Sequence, residues 1–264
     1  MTRIGIIGTG DVAHIHIGGL LTSSDYEIAG CYSPDNRQSM IFARQYRLIS
    51  YSSAEALLIY ADAVDITDDI PEMMALAELS LKALKHVFIA QPDHLDMNQM
   101  EYLKKLAEES GVVLQLGIGF RYCPAYHWLA DAMQTAMMVD IRHQMVNNGD
   151  LCAQLNMQLY YDFDFVTSIL KVVITKLDVV SRKRNENSSD LLHCRLECDN
   201  GSTINMMAYS VRETDPKLEM TFISPDAVVR ADIFQSIIKK QSRTSNTTEN
   251  IVLDSYNIKS VHLH

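Results

Sequence analysis

No stretch of this 264-residue chain is apolar for long enough to span a bilayer, and no leader-like apolar core follows the first strand. Those two absences predict a cytoplasmic protein with no membrane partner. Cysteine is sparse: the five (Cys31, Cys123, Cys152, Cys194, Cys198) are scattered and odd in number, which predicts reduced, mostly buried thiols. Cys194 and Cys198 lie four apart on an expected strand and so share a face, a packing pattern, and no metal site is predicted. Basic residues are outnumbered 33 to 23, and a net charge of −10 argues against nucleic acid or anionic membranes as partners. Repeats and low-complexity tracts are missing too. What remains, 47% hydrophobic and 21% charged, is the composition of a globular protein large enough for two domains.

The most informative stretch is Ile4-Gly5-Ile6-Ile7-Gly8-Thr9-Gly10-Asp11-Val12-Ala13, an apolar strand, a glycine turn and the start of a helix. Gly8, Gly10 and Ala13 make G-x-G-x-x-A, the dinucleotide-binding fingerprint in its alanine-ended form. Gly8 permits the sharp turn, Gly10 lacks the Cβ that would hold a pyrophosphate off the backbone, and Ala13 keeps the helix close to the sheet. Backbone N–H groups from Thr9 through Asp11 and Val12 would face the phosphates, where the helix dipole favours an anion. A helix over Asp11–Leu21 follows. His14 and His16 on it are two apart and point in different directions, which suits helix surface or site lining better than a metal pair.

Strands are expected at Tyr26–Cys31, Leu48–Tyr51, Ala63–Ile66, Val87–Ile89 and Val112–Leu116, six with the first. Helices alternate with them over Asn36–Tyr46, Ser53–Tyr60, Pro71–Lys85 and a segment opened by an Asp96/Gln99 capping box and closed at Gly111. Alternation of this kind is a doubly wound parallel α/β sheet, a Rossmann domain over residues 1–118. At the end of the second strand, Ser33 stands where NAD-selective folds carry an acidic residue, and Arg37 follows; together they lean towards NADP over NAD. From 119 to 264 the pattern changes. Val139–Val146 reads as strand and Asp150 as the cap of a helix running to Leu170. Leu177–Arg184, Leu191–Cys198 and Thr203–Val211 follow, the last two joined by the hairpin signal Asn200-Gly201. Leu218–Ser224 pairs with Ala227–Phe234, and Ser242–Asn250 reads as a polar loop. This predicts an α+β domain with a mostly antiparallel open sheet and a helix on one face.

The glycine turn, Lys85-His86-Val87-Phe88-Ile89 with Gln91-Pro92, Gly119-Phe120-Arg121-Tyr122 with Pro124, and the Asn200-Gly201 hairpin together resemble the glucose-fructose oxidoreductase / inositol dehydrogenase (Gfo/Idh/MocA) family, across nearly the whole chain. The resemblance implies an NADP- or NAD-dependent oxidoreductase acting on a sugar- or polyol-type ligand, with the nicotinamide between two domains and assembly through the exposed sheet face as a homodimer. It also implies a Glu-Lys-Pro motif after the fifth strand and an Asp-x-x-x-His motif on the first long helix of the second domain. Here Ala90-Gln91-Pro92 stands for the first, and Met157 and Tyr161 stand for the aspartate and histidine of the second. Glutamine cannot change charge, methionine offers no proton, and tyrosine, with a pKa of about 10, needs a nearby cation to act as a base. His94, three residues after Gln91, is a candidate substitute acid/base, and Arg121 and His127 are candidates for meeting a substrate.

A further departure concerns the cofactor. Where the family has a small uncharged turn, the chain reads Asp65-Ile66-Thr67-Asp68-Asp69. A carboxylate about 5 Å from a pyrophosphate charge costs roughly 3 kcal/mol at an effective dielectric near 20. Alternatively Asp68 and Asp69 point to solvent and cap the helix at Pro71. Two functions are therefore carried forward: an oxidoreductase-family member with altered or lost dehydrogenase chemistry, and a non-catalytic binding or assembly protein (a pseudoenzyme) that keeps the fold.

Overall fold

The computed structural model describes residues 1–68, 72–92, 95–146, 151–185, 188–211 and 216–253. The chain divides into two compact units, Met1–Ile118 and Gly119–His264.

The first unit runs β1 (Thr2–Ile7), α1 (Asp11–Leu20), β2 (Tyr26–Tyr32), α2 (Asn36–Tyr46), α3 (Ala54–Leu58), β3 (Ala63–Ile66), α4 (Met73–Lys82), β4 (His86–Ile89), α5 (Met97–Ser110) and β5 (Leu114–Leu116). All pairings are parallel, in the order β2-β1-β3-β4-β5. Neighbouring strand residues point to opposite faces, and Ile6 and Ile7 are both fully buried because helices pack on both sides. Ile6 joins Ala13, Ile17 and Phe42 beneath α1 and α2; Ile7 joins Leu57, Leu81, Ile89 and Leu103 beneath α3 to α5. Burying each large side chain of this kind contributes about 1.5–3 kcal/mol. The Asp96/Gln99 capping box forms, at 2.8 and 2.9 Å, and Gly111 ends α5 in the left-handed conformation that its missing Cβ permits.

Among the described residues the sheet has five strands, not six. Leu48–Tyr51 is reduced to one parallel bridge between Cys31 and Ser50, held by Cys31 N–H to Ile49 O and Tyr51 N–H to Cys31 O. The cause is lack of length. The segment is confined between Arg47, the left-handed cap of α2, and Ser53, the N-cap of α3. The described helix before β4 starts at Met73; the expected start at Pro71 lies outside the described residues.

The second unit opens with a 3-10 turn (Gly119–Tyr122) and α6 (Pro124–Ala132), then β6 (Met138–Val146), α7 (Leu151–Leu170), β7 (Ile174–Asn185), β8 (Ser188–Cys198), β9 (Thr203–Val211), β10 (Lys217–Ile223), β11 (Ala227–Asp232), β12 (Ile237–Ser242) and β13 (Thr248–Val252). Eight strands form one sheet in the order β13-β12-β11-β10-β6-β9-β8-β7. Every pair is antiparallel except β6 with β9, which is parallel. The period-two pattern sets one face: Val139, Ile141, Leu196, Ile204, Met206 and Phe222 are buried, as are Phe165, Val166 and Ile169 of α7. Gly201, at φ +82, closes the expected β8–β9 hairpin. Three readings are corrected. The sequence pattern predicts neither α6 nor β12, and the tail read as loop contains β13, an edge strand mostly exposed and therefore without an apolar alternation to reveal it. The cap expected at Asp150 lies outside the described residues.

Candidate functional site

In the first unit β1 is the point from which the chain moves first towards β2 and later, past it, to β3. The carboxyl ends of β1 and β3 are thus the switch point at which open α/β sheets bind ligands. Gly8 leaves β1 at φ +119, a backbone value that a side chain rarely tolerates. Its own N–H donates to Tyr32 O, and Thr67, fully buried at the end of β3, donates its N–H and hydroxyl to Ile7 O. The turn is therefore pinned from both neighbouring strands. Val12 and Ala13 face the core and Asp11 is exposed at the start of α1.

Asp68 resolves the alternative left open above. It does not point away to solvent: its Oδ2 accepts from Thr9 N–H at 2.7 Å, and its Oδ1 accepts from Gly10 N–H at 2.9 Å and from the Thr67 hydroxyl at 3.3 Å. Gly10, the N-cap of α1, has no side chain to bond the free N–H groups, and a carboxylate 58 residues away supplies the acceptor. The donor set thus fits an anion, as a dinucleotide cradle must. Asp69 lies outside the described residues.

Ser33 closes β2 and is buried; Arg37 is exposed in the first turn of α2, whose N-cap Asp35 accepts from the N–H groups of Arg37 and Gln38. Gln91 is half-buried just past β4. Its position is fixed by Ala90 N–H to Ile66 O and by Gly117, where a Cβ would stand 2.4 Å from Ala90 O. His94 lies outside the described residues. The two α1 histidines do diverge: His14 Nδ1 meets the Tyr46 hydroxyl at 2.6 Å, and His16 Nδ1 meets Asp65 Oδ2 at 2.7 Å on β3. His16 and Asp65 line a groove of about 580 Å³ with Phe88 and Gln115.

In the second unit Tyr161 of α7 is 3% exposed, its ring edge-on to Phe120 at 6.1 Å. The side chain of Met157 is outside the described set. Arg121 forms a two-pronged ion pair with Asp164 of α7, Nε to Oδ2 at 2.6 Å and a terminal nitrogen to Oδ1 at 2.5 Å, which ties the 3-10 turn to the helix. The Asp164 carboxylate raises the Arg121 pKa above its ordinary value, and burial pushes the Tyr160 phenol up. His127 is exposed on α6. One pair escaped the sequence reading. His143 of β6 donates from Nδ1 to Asp162 Oδ2 of α7 at 2.9 Å, with the two side chains 2% and 1% exposed. The available signal was the alternation of Val139, Ile141, His143 and Met145, which places a histidine at an inward position. Cys31, Cys123, Cys194 and Cys198 are buried free thiols, and burial raises the pKa of each. Among the described residues no cluster of three or more His, Cys, Asp or Glu side chains is placed to hold a metal, and no helix is long and apolar enough to cross a membrane.

Residues 2–118 match the model of the GFO_IDH_MocA oxidoreductase family, NAD-binding Rossmann fold. The chain is 22% identical over 256 residues to the UDP-N-acetylglucosamine 3-dehydrogenase of Acidithiobacillus ferrooxidans, covering 94% of this chain and 80% of that one. To the glucose-6-phosphate 3-dehydrogenase of Bacillus subtilis it is 26% identical over 125 residues, 46% of this chain and 35% of the other. A solved structure of the Acidithiobacillus enzyme has the same fold, with a TM-score of 0.85 at 21% identity over 99% of this chain and 85% of that chain.

Proposed function

Through residues 2–118 the chain belongs to the Gfo/Idh/MocA oxidoreductase family, and from that premise we propose a nicotinamide-dinucleotide-binding protein whose usual sugar or polyol dehydrogenation is altered or lost. The observation that carries this reading is the state of the proton-transfer positions. By the resemblance, Gln91 falls where the family carries its lysine and Tyr161 where it carries its histidine; Tyr161 is buried, edge-on to Phe120. Removing a hydride from an alcohol carbon requires a group to take the hydroxyl proton, and losing such a base costs about 10²- to 10⁴-fold. Glutamine can orient an oxygen but not accept its proton at neutral pH. A phenol, with an ordinary pKa of about 10, is protonated at neutral pH and is a poor base without a neighbouring cation.

Thr9, Gly10, Asp11 and Val12 would hold the pyrophosphate through backbone N–H groups, and Ser33 with Arg37 would meet the adenosine ribose, with NADP favoured. When bound, the nicotinamide supplies the hydride chemistry; orientation and proton handling are the protein's share. The unit from Gly119 is read as the substrate and dimerisation domain, its uncovered sheet face carrying Met207 and Val180 against a second copy. The two relatives are named for oxidising phosphorylated sugars at position 3, so UDP-N-acetylglucosamine and glucose 6-phosphate join inositol as the ligands to test.

Titration with NADP and NAD, followed by turnover assays on those three ligands, tests the reading. Cofactor binding with little or no turnover is expected. Robust wild-type turnover would overturn the altered-site reading. The engagement of Thr9 and Gly10 by Asp68 favours the second reading, a non-catalytic binding protein, and sugar-ligand binding without any dinucleotide binding would select it.

A further inference from the structure

The glycines of the fingerprint open a space, and the chain fills that space itself. A Cβ built on Gly8 would stand 2.6 Å from Asp68 Cγ, and one on Gly10 would stand 2.9 Å from Asp68 Oδ1. The volume those glycines leave for a phosphate is therefore taken up by a carboxylate. That carboxylate uses both oxygens, one on each of the N–H groups of Thr9 and Gly10, as a phosphate with two free oxygens would. It also neutralises the positive end of α1, a ten-residue helix with no side-chain cap of its own. Two anions cannot share this donor pair. A pyrophosphate arriving while Asp68 is in place would find two of its four backbone donors taken and a like charge in contact.

We propose that Asp68 is a built-in competitor of the cofactor: it occupies the pyrophosphate cradle of the free protein, and a dinucleotide binds only when this side chain has left. The inference rests on the cofactor reading above and adds its regulation. Asp68 is only half-buried, so a rotation about its own side-chain bonds can carry the carboxylate into water without moving β3. The affinity for the dinucleotide is then the cradle's intrinsic affinity divided by the bias towards the self-bound state. Whatever draws Asp68 away, whether a cation, a partner's basic side chain or a ligand contact, raises cofactor affinity without touching the cofactor.

The test is calorimetric titration of the full chain with NADPH, NADH and adenosine, comparing wild type with Asp68→Ala and Asp68→Asn. Both variants are expected to tighten NADPH and NADH, the alanine by at least tenfold and the asparagine by less. Adenosine, which has no phosphate, should change by under twofold. Thermal unfolding gives a second readout. Without nucleotide Asp68→Ala should melt below wild type, because two N–H groups lose their acceptor; with saturating NADPH the gap should close, since Asp68 has then left the cradle of the wild type as well. Equal dinucleotide affinity in all three proteins would overturn the competition while leaving the cofactor site standing. Weaker binding in both variants would overturn it too, by making Asp68 a holding group. Absence of binding in all three, adenosine included, would remove the cofactor reading and this inference with it. Should Asp68→Ala fail to fold, Asp68→Asn, which keeps the shape and loses the charge, decides the matter alone.

Discussion

Replacing His143 with leucine leaves the Asp162 carboxylate 1% exposed, among apolar neighbours, with its hydrogen-bond partner removed. Its other oxygen, Oδ1, is already buried with no hydrogen-bond partner among the described residues. The loss has two parts: a charge-assisted hydrogen bond, worth about 1.5–3 kcal/mol, and the penalty of an uncompensated buried charge. Breaking one side of a buried pair costs about 3–5 kcal/mol in all. Against a typical total of about 5–15 kcal/mol for a domain, that is a third or more of the stability. The double variant His143→Leu/Asp162→Leu should recover most of it, because replacing both partners of a buried pair by apolar groups is often close to neutral. The assay is urea unfolding followed by Trp128 fluorescence. That residue is the chain's single tryptophan and sits on α6, so it reports on the second unit. If His143→Leu lies within about 0.5 kcal/mol of wild type, or if the two single changes simply add in the double variant, the pair is not coupled and the reasoning fails.

Three further outcomes can be measured. Gly8→Ala should destabilise the first unit by about 2–5 kcal/mol, since its φ of +119 strains any side chain and its Cβ would stand 2.4 Å from Thr67 Oγ1; chemical denaturation checks it. Gln91→Lys with Tyr161→His should bring measurable polyol or sugar turnover, greater than either change alone because the two would act as one relay; initial rates over the four proteins decide this. Sedimentation at micromolar concentration should give a homodimer, and Met207→Glu, on the uncovered sheet face, should shift it towards monomer; a wild-type species of 29.8 kDa would refute the assembly.

What could be read from the sequence was local. Ile4 to Ala13 declares a strand, a turn and a helix within ten residues, the Asp96/Gln99 box acts over three, and Asn200-Gly201 needs only the strands beside it. Each is short-range chemistry with one good solution. What stayed hidden depends on distant parts of the chain. Asp68 meets Gly10 from 58 residues away, so its direction, to the cradle or to water, has no local signature. His143 and Asp162 meet across 19 residues, one from a strand and one from a helix, and neither has a neighbour that announces the other. Leu48–Tyr51 has the composition of a strand, but its length is decided by the caps on either side.

The parallel contact between β6 and β9 governs the order in which the second unit can be assembled. β6 lies between β9 and β10, so both of its hydrogen-bonding edges wait for strands made later. Asp140, for example, meets Asn205 across 65 residues. β7, β8 and β9 can zip into a meander by successive short hairpins, and β10 to β13 into another. β6 belongs to neither and can only be inserted as they come together. Its arrival is the slow, long-range step of folding, since the entropy of closing that loop is lost before any pairing compensates it. Until then a strand with one largely apolar face stands open on both edges, the condition under which chains pair with one another instead. A protein stalled during synthesis before β9 emerges would therefore aggregate through Met138–Val146, and a truncation that removes β10 onwards would leave that strand open on one edge for good.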